Sequence, residues 1–469
     1  MKPPATDPKD KVPFFEKLMY GAGSGSFQLS SDGVKGLANP IYNITLGLNL
    51  AMVGLVLMIA RLFDAFTGPV IGKLSDDFRS PWGRRRPFIL VGSFLTAVAF
   101  IVVWLVPESW KGNTWPLFTY FLLAMLFFYL CADIQVVPYH TLGLEMTPDY
   151  HERTSVAGFK MIFSFAFTLL LPWVFFFAQS DRFGGNTMAG MRYWSFIIAG
   201  FIVAGGVLPA IFVKERYYKV ASRQPKIRFW TSFKSTLQNR SFLILTGILL
   251  LTGLGGGLVH AFGPYIVYYY MYDGDTKAGQ ALIAQGTNVF SILALLSTPL
   301  LVWLSSRLGK VHLLAYLIAL GFFSSLATLV FYSKRHPYLI FLVYVLQAPQ
   351  AAGFWSITAS MKADICDDDE LRHGLRREGM FGSVGNWVLK TALSSTHFLS
   401  GVMLNATGLR IEMKGDQAPG TFLWMRLLFA VVPAVTAILS LWLLWIYPLN
   451  AKRMAEIRAG LEARRNTIT

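Results

Sequence analysis

Apolar residues run in long blocks along this chain, with short polar stretches between them. Twelve blocks can be drawn, at about 16–42, 45–74, 87–107, 115–143, 156–179, 190–213, 241–271, 279–304, 311–333, 337–361, 379–405 and 420–447. Each is long enough for a bilayer-spanning helix of about 20 residues and too long for a barrel strand. The first block is the least hydrophobic. It carries Gly21, Gly23, Gly25, Gln28, Asp32 and Lys35, so it cannot face lipid all round. Such a helix must line a polar cavity or pack tightly through its small residues.

The polar interruptions are asymmetric. Assigned alternately to two sides, the stretches on the side of the N-terminus hold thirty Lys and Arg and the opposite ones hold eight. By the positive-inside rule, both termini are expected in the cytoplasm of an inner or plasma membrane. The longest interruption, 214–240, is strongly basic. It divides the chain into a six-span half at 1–213 and another at 241–448, followed by a basic tail at 449–469. A weak repeat supports the division: GPVIGKLSDDFRSPWGRRRP after the second block is echoed by TPLLVWLSSRLGKVH after the eighth. Two six-helix halves with matching loops predict an all-α, major-facilitator type of membrane transporter.

Composition agrees. Hydrophobic residues make up 54% of 469 positions and charged residues only 14%, well under the roughly 25% of soluble domains. A net charge of +16 could signal nucleic acid, but most of the basic residues sit in loops on one side, so no nucleic-acid partner is expected. Cys131 and Cys366 have no metal-ligand or disulfide spacing and read as packed thiols. No cleavable signal peptide is expected, because 1–14 is polar and no small-residue site follows the first block. No phosphate loop or nucleophile motif is present, so an enzyme is not expected, and neither is a cofactor or bound metal.

Charges inside spans carry the functional reading, because they are expensive there and usually mark a pathway. Ile59–Leu90 places Arg61 and Asp64 in mid-helix, then a loop with Asp76, Asp77 and four arginines. Asp64 reads either as the carboxylate that carries a coupling ion or as a simple partner of Arg61, three residues earlier on the same face. Asp32, Asp133, Lys160 and Lys390 are the other candidates, and Asp32 could simply pair with Lys35.

RLFDAFTGPVIGKLSDDFRSPWGRRRPF, VPYHTLGLEMTPDYHERTSV and DICDDDELRHGLRREGMFGS together resemble the glycoside–pentoside–hexuronide:cation symporters, the family of the melibiose permease. The resemblance covers most of the chain. It implies secondary active transport of a sugar or glycoside coupled to sodium, lithium or protons. It also implies acids on helices one, two and four. Asp64 matches the first acid of a D-x-x-x-D-P pattern, but Gly68 stands where the second belongs. The helix-one acid falls at Gln28 and the helix-four acid at Val136. Arg61 and Lys390 match the family's arginine on helix two and lysine on helix eleven. Lys160 stands where an arginine would hold sugar hydroxyls. His140 follows Pro138 and Tyr139, where the melibiose permease has a sugar-stacking tryptophan.

Sodium needs several oxygen ligands, and a lone carboxylate makes a poor cage. A proton site needs one carboxylate whose affinity is tuned by burial and a neighbouring base. The family acids could also have moved by one turn, to Asp32 and Asp133, which keeps sodium open. Lys390 would pair with Asp64 or Asp133.

Solute contacts are expected from Arg61, Lys160, Tyr139, His140, His260, Trp355, Asn386 and Trp387, with Gln347, Gln350, Tyr265 and Tyr268 as further donors. The tyrosines of YIVYYYMY also read as membrane-interface anchors. Asp76 with Arg84, Arg85 and Arg86 reads as a gating loop whose charge pairs hold one transport state. Asp364, Asp367, Asp368, Asp369 and Glu370 read as a latch against Arg372, Arg376 and Arg377. The sequence predicts a monomeric symporter of a small solute, a sugar or glycoside. A transporter of a lipid-like solute or drug, or a non-transporting sensor, is the alternative.

Overall fold

The computed structural model describes residues 11–147, 150–215, 236–373 and 378–468. Arg376, Arg377 and most of the basic central stretch lie outside the described residues. The described residues form two compact units, Met1–Pro225 and Lys226–Thr469.

The first unit contains α1 (Phe14–Ala38), α2 (Leu50–Asp77), α3 (Arg86–Trp104), α4 (Thr114–Glu145), α5 (Tyr150–Thr168), α6 (Leu171–Ala178) and α7 (Thr187–Phe212). The second contains α8 (Arg240–Leu258), the single turn α9 (Phe262–Tyr265), α10 (Thr276–Leu308), α11 (Lys310–Phe331), α12 (Ile340–His373), α13 (Glu378–Ala406), α14 (Thr421–Trp445) and α15 (Ala451–Ile468). Ten helical segments among the described residues are long and apolar enough to cross a membrane. The first and eleventh expected spans also form helices of bilayer length, α1 and α13, with more polar sequences.

Local chemistry sets the breaks. Asn49, Asn186, Asn239 and Asp275 each accept a backbone N–H from the first turn of the helix that follows, which satisfies an otherwise orphaned donor. Pro40 has no N–H to give, and α1 passes into a π-helix over Asn39–Thr45. Pro172 likewise separates α5 from α6 within what the hydrophobic pattern shows as one span. The seventh expected span breaks at Val259–Ala261 and resumes through α9 into a π-helix over Ile266–Met271.

Within each unit the helices pack in one order. In the first, α1 lies against α5 and α7, α2 against α4, and α3 against α4 and α7. In the second, α8 lies against α13 and α14, α10 against α12, and α11 against α12 and α14. With each broken span counted once, these are the same five pairings. The loop echo in the sequence thus corresponds to a repeated three-dimensional unit. Glycines permit the closest approaches: a Cβ on Gly92 of α3 would fall 2.6 Å from the backbone nitrogen of Gln135 on α4.

The tyrosine run corrects the interface expectation. Tyr265, Tyr268 and Tyr269 are buried. Tyr265 stacks on Tyr269, and the Tyr268 hydroxyl donates to Gln280 Oε1 at 2.5 Å. The π-turn carries these rings into the unit instead of presenting them along its rim.

Candidate functional site

Four charges meet on α1 and α2. Asp64 is only 5% exposed and accepts from Arg61 Nη1 at 3.1 Å. On α1, Asp32 pairs with Lys35 at 3.1 Å and accepts from the Gln28 carboxamide. Lys35 lies within electrostatic reach of both Arg61 and Asp64. The Arg61 guanidinium sits 5.7 Å from the ring centroid of Tyr129 on α4, a cation–π distance. Both sequence-level pairings therefore form, and they belong to one group of two acids and two bases.

Asp133 on α4 engages separately. It is buried and accepts a hydrogen bond from the hydroxyl of Thr67, one helical turn beyond Asp64 on α2. The spacing Asp64–Thr67 puts both contacts on one face of α2. Gly68, where the family carries an acid, is packed 4.0 Å from Val137 when given a Cβ.

A second polar pair lies between α4 and α5. Lys160 Nζ is 3.0 Å from His140 Nδ1, and the His140 ring meets Phe27 edge-on. The Lys160 carbonyl accepts from Ser24 of α1 at 2.7 Å. Tyr139 departs from its expected role. It is 2% exposed, stacks on Tyr20 at 4.7 Å and donates its hydroxyl to the Tyr20 carbonyl at 2.7 Å. Its ring fills the space opened by Gly23 of α1, so no face is left for a solute.

The arginine loop is a network inside the first unit. Glu145, at the end of α4, accepts from Arg84 Nη2 at 2.6 Å and from Arg85 Nε and Nη2 at 3.0 and 2.9 Å. Asp76 accepts from Arg85 at 2.8 Å. Glu215, three residues past α7, takes the backbone N–H groups of Arg84, Arg85 and Arg86 at 3.0, 2.8 and 3.2 Å. It thereby caps the start of α3. Arg86 in turn donates to the carbonyls of Ala210 and Ile211 at the end of α7. These contacts tie α2, α3, α4 and α7 together within one half. A further lock joins the entry of the chain to α5. Glu152 accepts from Lys17 at 2.7 Å and from the Val12 N–H at 3.1 Å. Burial would push the Glu152 carboxyl up, but the bonds from Lys17 and Val12 outweigh it and hold the carboxyl below its ordinary value.

The second unit holds a cavity of about 640 Å³ among α8, α10, α11, α12 and α14. His260, Gln347 and Gln350 line it, with Thr252 and Tyr344. Gly321 leaves room for Gln350, whose amide nitrogen would be 3.3 Å from a Cβ there. Three of the expected solute donors are thus brought together. Asn386 and Trp387 are exposed on α13 and share a helical face with Lys390, which is partly buried; Trp355 is exposed on α12. None of these four lines the cavity. In the acidic stretch Arg372 is bound to Asp368 at 2.8 Å and Asp364 also pairs with Lys310 at 2.6 Å, while Arg376 and Arg377 lie outside the described residues.

Comparison with known proteins agrees with this architecture. The sequence profile of the family described as MFS/sugar transport protein matches residues 19–451. The chain belongs to this family. Its membership makes the protein a multi-pass membrane transporter of a small solute and not an enzyme. An uncharacterized symporter of Synechocystis sp. is 27% identical, over 97% of this chain and 98% of the relative. An isoprimeverose transporter of Lactiplantibacillus pentosus is 26% identical, over 86% and 84%. Among solved folds, a structure of a proton dependent oligopeptide transporter superposes with a TM-score of 0.64 at 14% identity, covering 94% of this chain and 99% of that one.

Sequence reasoning missed Glu145, Glu215, Thr67 and Lys310. Glu145 stands inside a quoted family stretch, and Lys310 lies within the echo of the arginine loop. Either could have been found by asking which charge neutralises which.

Proposed function

We propose that this family member moves a sugar or glycoside by alternating access in symport with a proton, in the inner or plasma membrane, with both termini cytoplasmic. The observation that carries the coupling is the four-charge group Asp32, Lys35, Arg61 and Asp64. Two acids beside two bases leave no net negative charge, and a hard cation such as sodium needs an oxygen-rich, negatively charged cage. A proton needs only to titrate one carboxylate while its base partner turns elsewhere. Asp64 is assigned that role, with Arg61 as its partner. Asp133, held by Thr67, supports α2 and is the acid a sodium reading would have to recruit.

For the solute, the sugar reading rests on family membership, on the isoprimeverose-transporting relative, and on donors that suit hydroxyl groups. His140 with Lys160 in the first half and Gln347, Gln350 and His260 in the second are the assigned contacts. The protein is taken to act as a monomer. Counterflow in proteoliposomes with a panel of pentosides and hexosides tests the reading. Exchange of at least one sugar, concentrated by an inward proton gradient at zero sodium, is expected. Strict sodium dependence would remove the proton assignment, and exchange of a lysolipid with no sugar would remove the cargo.

A further inference from the structure

Among the described residues, no Asp, Glu, Lys or Arg lines the cavity of the second unit, and His260 is its one basic side chain. The nearest charge along a lining helix is Arg426, one turn before Phe429 on α14. It is committed elsewhere: Nη1 donates to the Tyr270 hydroxyl at 3.1 Å and Nη2 to the Leu329 carbonyl. The neutral polar groups are of two kinds. Ser324, Ser325, Thr328 and Thr436 donate their hydroxyls to carbonyls of their own helices at 2.6–3.0 Å. That leaves only their oxygen lone pairs, as acceptors. The carboxamides of Gln347 and Gln350 are half-buried and have no hydrogen-bond partner among the described residues. Each offers both a donor and an acceptor.

An aromatic ring stands beside these carboxamides. Tyr344 precedes Gln347 by one turn, and steps of three residues put Tyr344, Gln347 and Gln350 along one side of α12. Gly286 lets the ring lie against α10, since a Cβ there would be 2.1 Å from Tyr344 Cε2. No other aromatic ring meets Tyr344 among the described residues, whereas Phe429 meets Tyr332 edge-on. Phe290 lines the cavity too, but α10 brings no polar side chain there beside it.

Within the sugar transport proposed above, on which this rests, we infer that Tyr344 is the stacking platform and that the ring it carries is uncharged. The C–H side of a sugar ring lies on the negative face of the tyrosine. Its hydroxyls bridge Gln347 and Gln350, and others donate to the serine and threonine oxygens. A uronate carboxylate in the same place would meet those acceptor oxygens, and no cation would offset its lost hydration. The cavity of about 640 Å³ lies in the range of roughly 300–1,000 Å³ that encloses drug-sized ligands, which gives room for a two-ring glycoside. The platform thus comes from α12 in the second half, while Tyr139 in the first is spent on Tyr20.

The test uses the full chain in proteoliposomes at about pH 7.5, where an imidazole is ordinarily neutral. Counterflow of a pentoside or hexoside that the parent exchanges is competed by pairs differing only at C6: methyl glucoside with methyl glucuronide, and methyl galactoside with methyl galacturonide. The uronides should compete about tenfold less well or worse. Tyr344→Leu should raise the KM about threefold to tenfold with the maximal rate and proton dependence kept, and Tyr344→Phe, which keeps the ring, should recover most of that loss. Gln347→Lys brings a cation into the cavity and should improve uronide competition about tenfold relative to the neutral partner, a gain that a folding defect does not produce. Uronides that compete equally in the parent overturn the uncharged assignment and move recognition to Lys160. A KM indifferent to Tyr344→Leu, or raised as much by Tyr344→Phe, overturns the platform while the sugar reading stands. No exchange of any sugar by the parent removes that reading, and this inference with it.

Discussion

Asp64 and Glu145 are both buried carboxylates that accept from arginine, but their surroundings assign them different work. Asp64 has one arginine at 3.1 Å, three residues away on its own helix, and a second base within reach. That arrangement can exchange partners. Asp64→Asn is expected to reduce gradient-driven accumulation at least tenfold while sugar exchange continues, as measured by parallel uptake and counterflow assays. Full accumulation in the variant would place coupling on another residue. Glu145 instead holds two arginines of a neighbouring loop through three short bonds. Glu145→Gln would remove the buried carboxylate shared by Arg84 and Arg85 and leave them the exposed Asp76, and a loss of about 1–3 kcal/mol is expected. Thermal unfolding of the purified variant reads it; unchanged melting would mean solvent replaces the carboxylate. Both acids stand in readable sequence, but the partner set that separates a switch from a rivet does not.

Individual helices are placed by small residues and by their ends. Gly92 lets α3 touch the backbone of α4, since even one methyl would lie 2.6 Å from the Gln135 nitrogen. Gly92→Ala should cost about 1–3 kcal/mol by forcing α3 and α4 apart, seen as a lowered melting temperature with helical content retained. Helix α5 begins at a different kind of contact, the Lys17–Glu152 pair with the Val12 N–H. Because Glu152 is held below its ordinary value, its contribution is complete above the unfolded carboxyl's range, near pH 4.3. It is lost as pH falls through the lower folded value. Melting temperature should therefore fall on acidification below about pH 4.3, and Glu152→Gln should flatten that limb. An identical acid limb in the variant would assign it to other carboxylates. The hydrophobic pattern located α5 but could not show its early end. Proline chemistry at Pro172 decides that break, and apolar periodicity does not register it.

At the scale of the molecule, two units with the same five helix pairings are the frame for transport. The four-charge group lies entirely in the first unit and the 640 Å³ donor-lined cavity entirely in the second. On the function proposed above, one half supplies the coupling chemistry and the other a large share of the solute contacts. Gln350→Ala should raise the KM for the transported sugar about tenfold with little change in the proton dependence of uptake. A shift in the pH profile with KM unchanged would contradict that division. Collapse of an imposed proton gradient by an ionophore should abolish accumulation at any sodium concentration, which radiotracer uptake in proteoliposomes will show.

Hydrophobic block length, the one-sided distribution of Lys and Arg, and the loop echo are properties of the sequence alone. They were enough for the all-α membrane class and a two-fold organisation, because membrane insertion reads them along a linear chain, whereas the family came from resemblance in three quoted stretches. Mid-span charges were enough to nominate Asp64, since burying a charge in a bilayer is costly wherever its partners lie. Only the folded structure decided the partners. It placed Tyr139 on Tyr20, Asp133 on Thr67, Asp364 on Lys310 and Glu215 on the N-terminus of α3. Each contact joins residues far apart in the chain, and its geometry depends on how closely two helices approach.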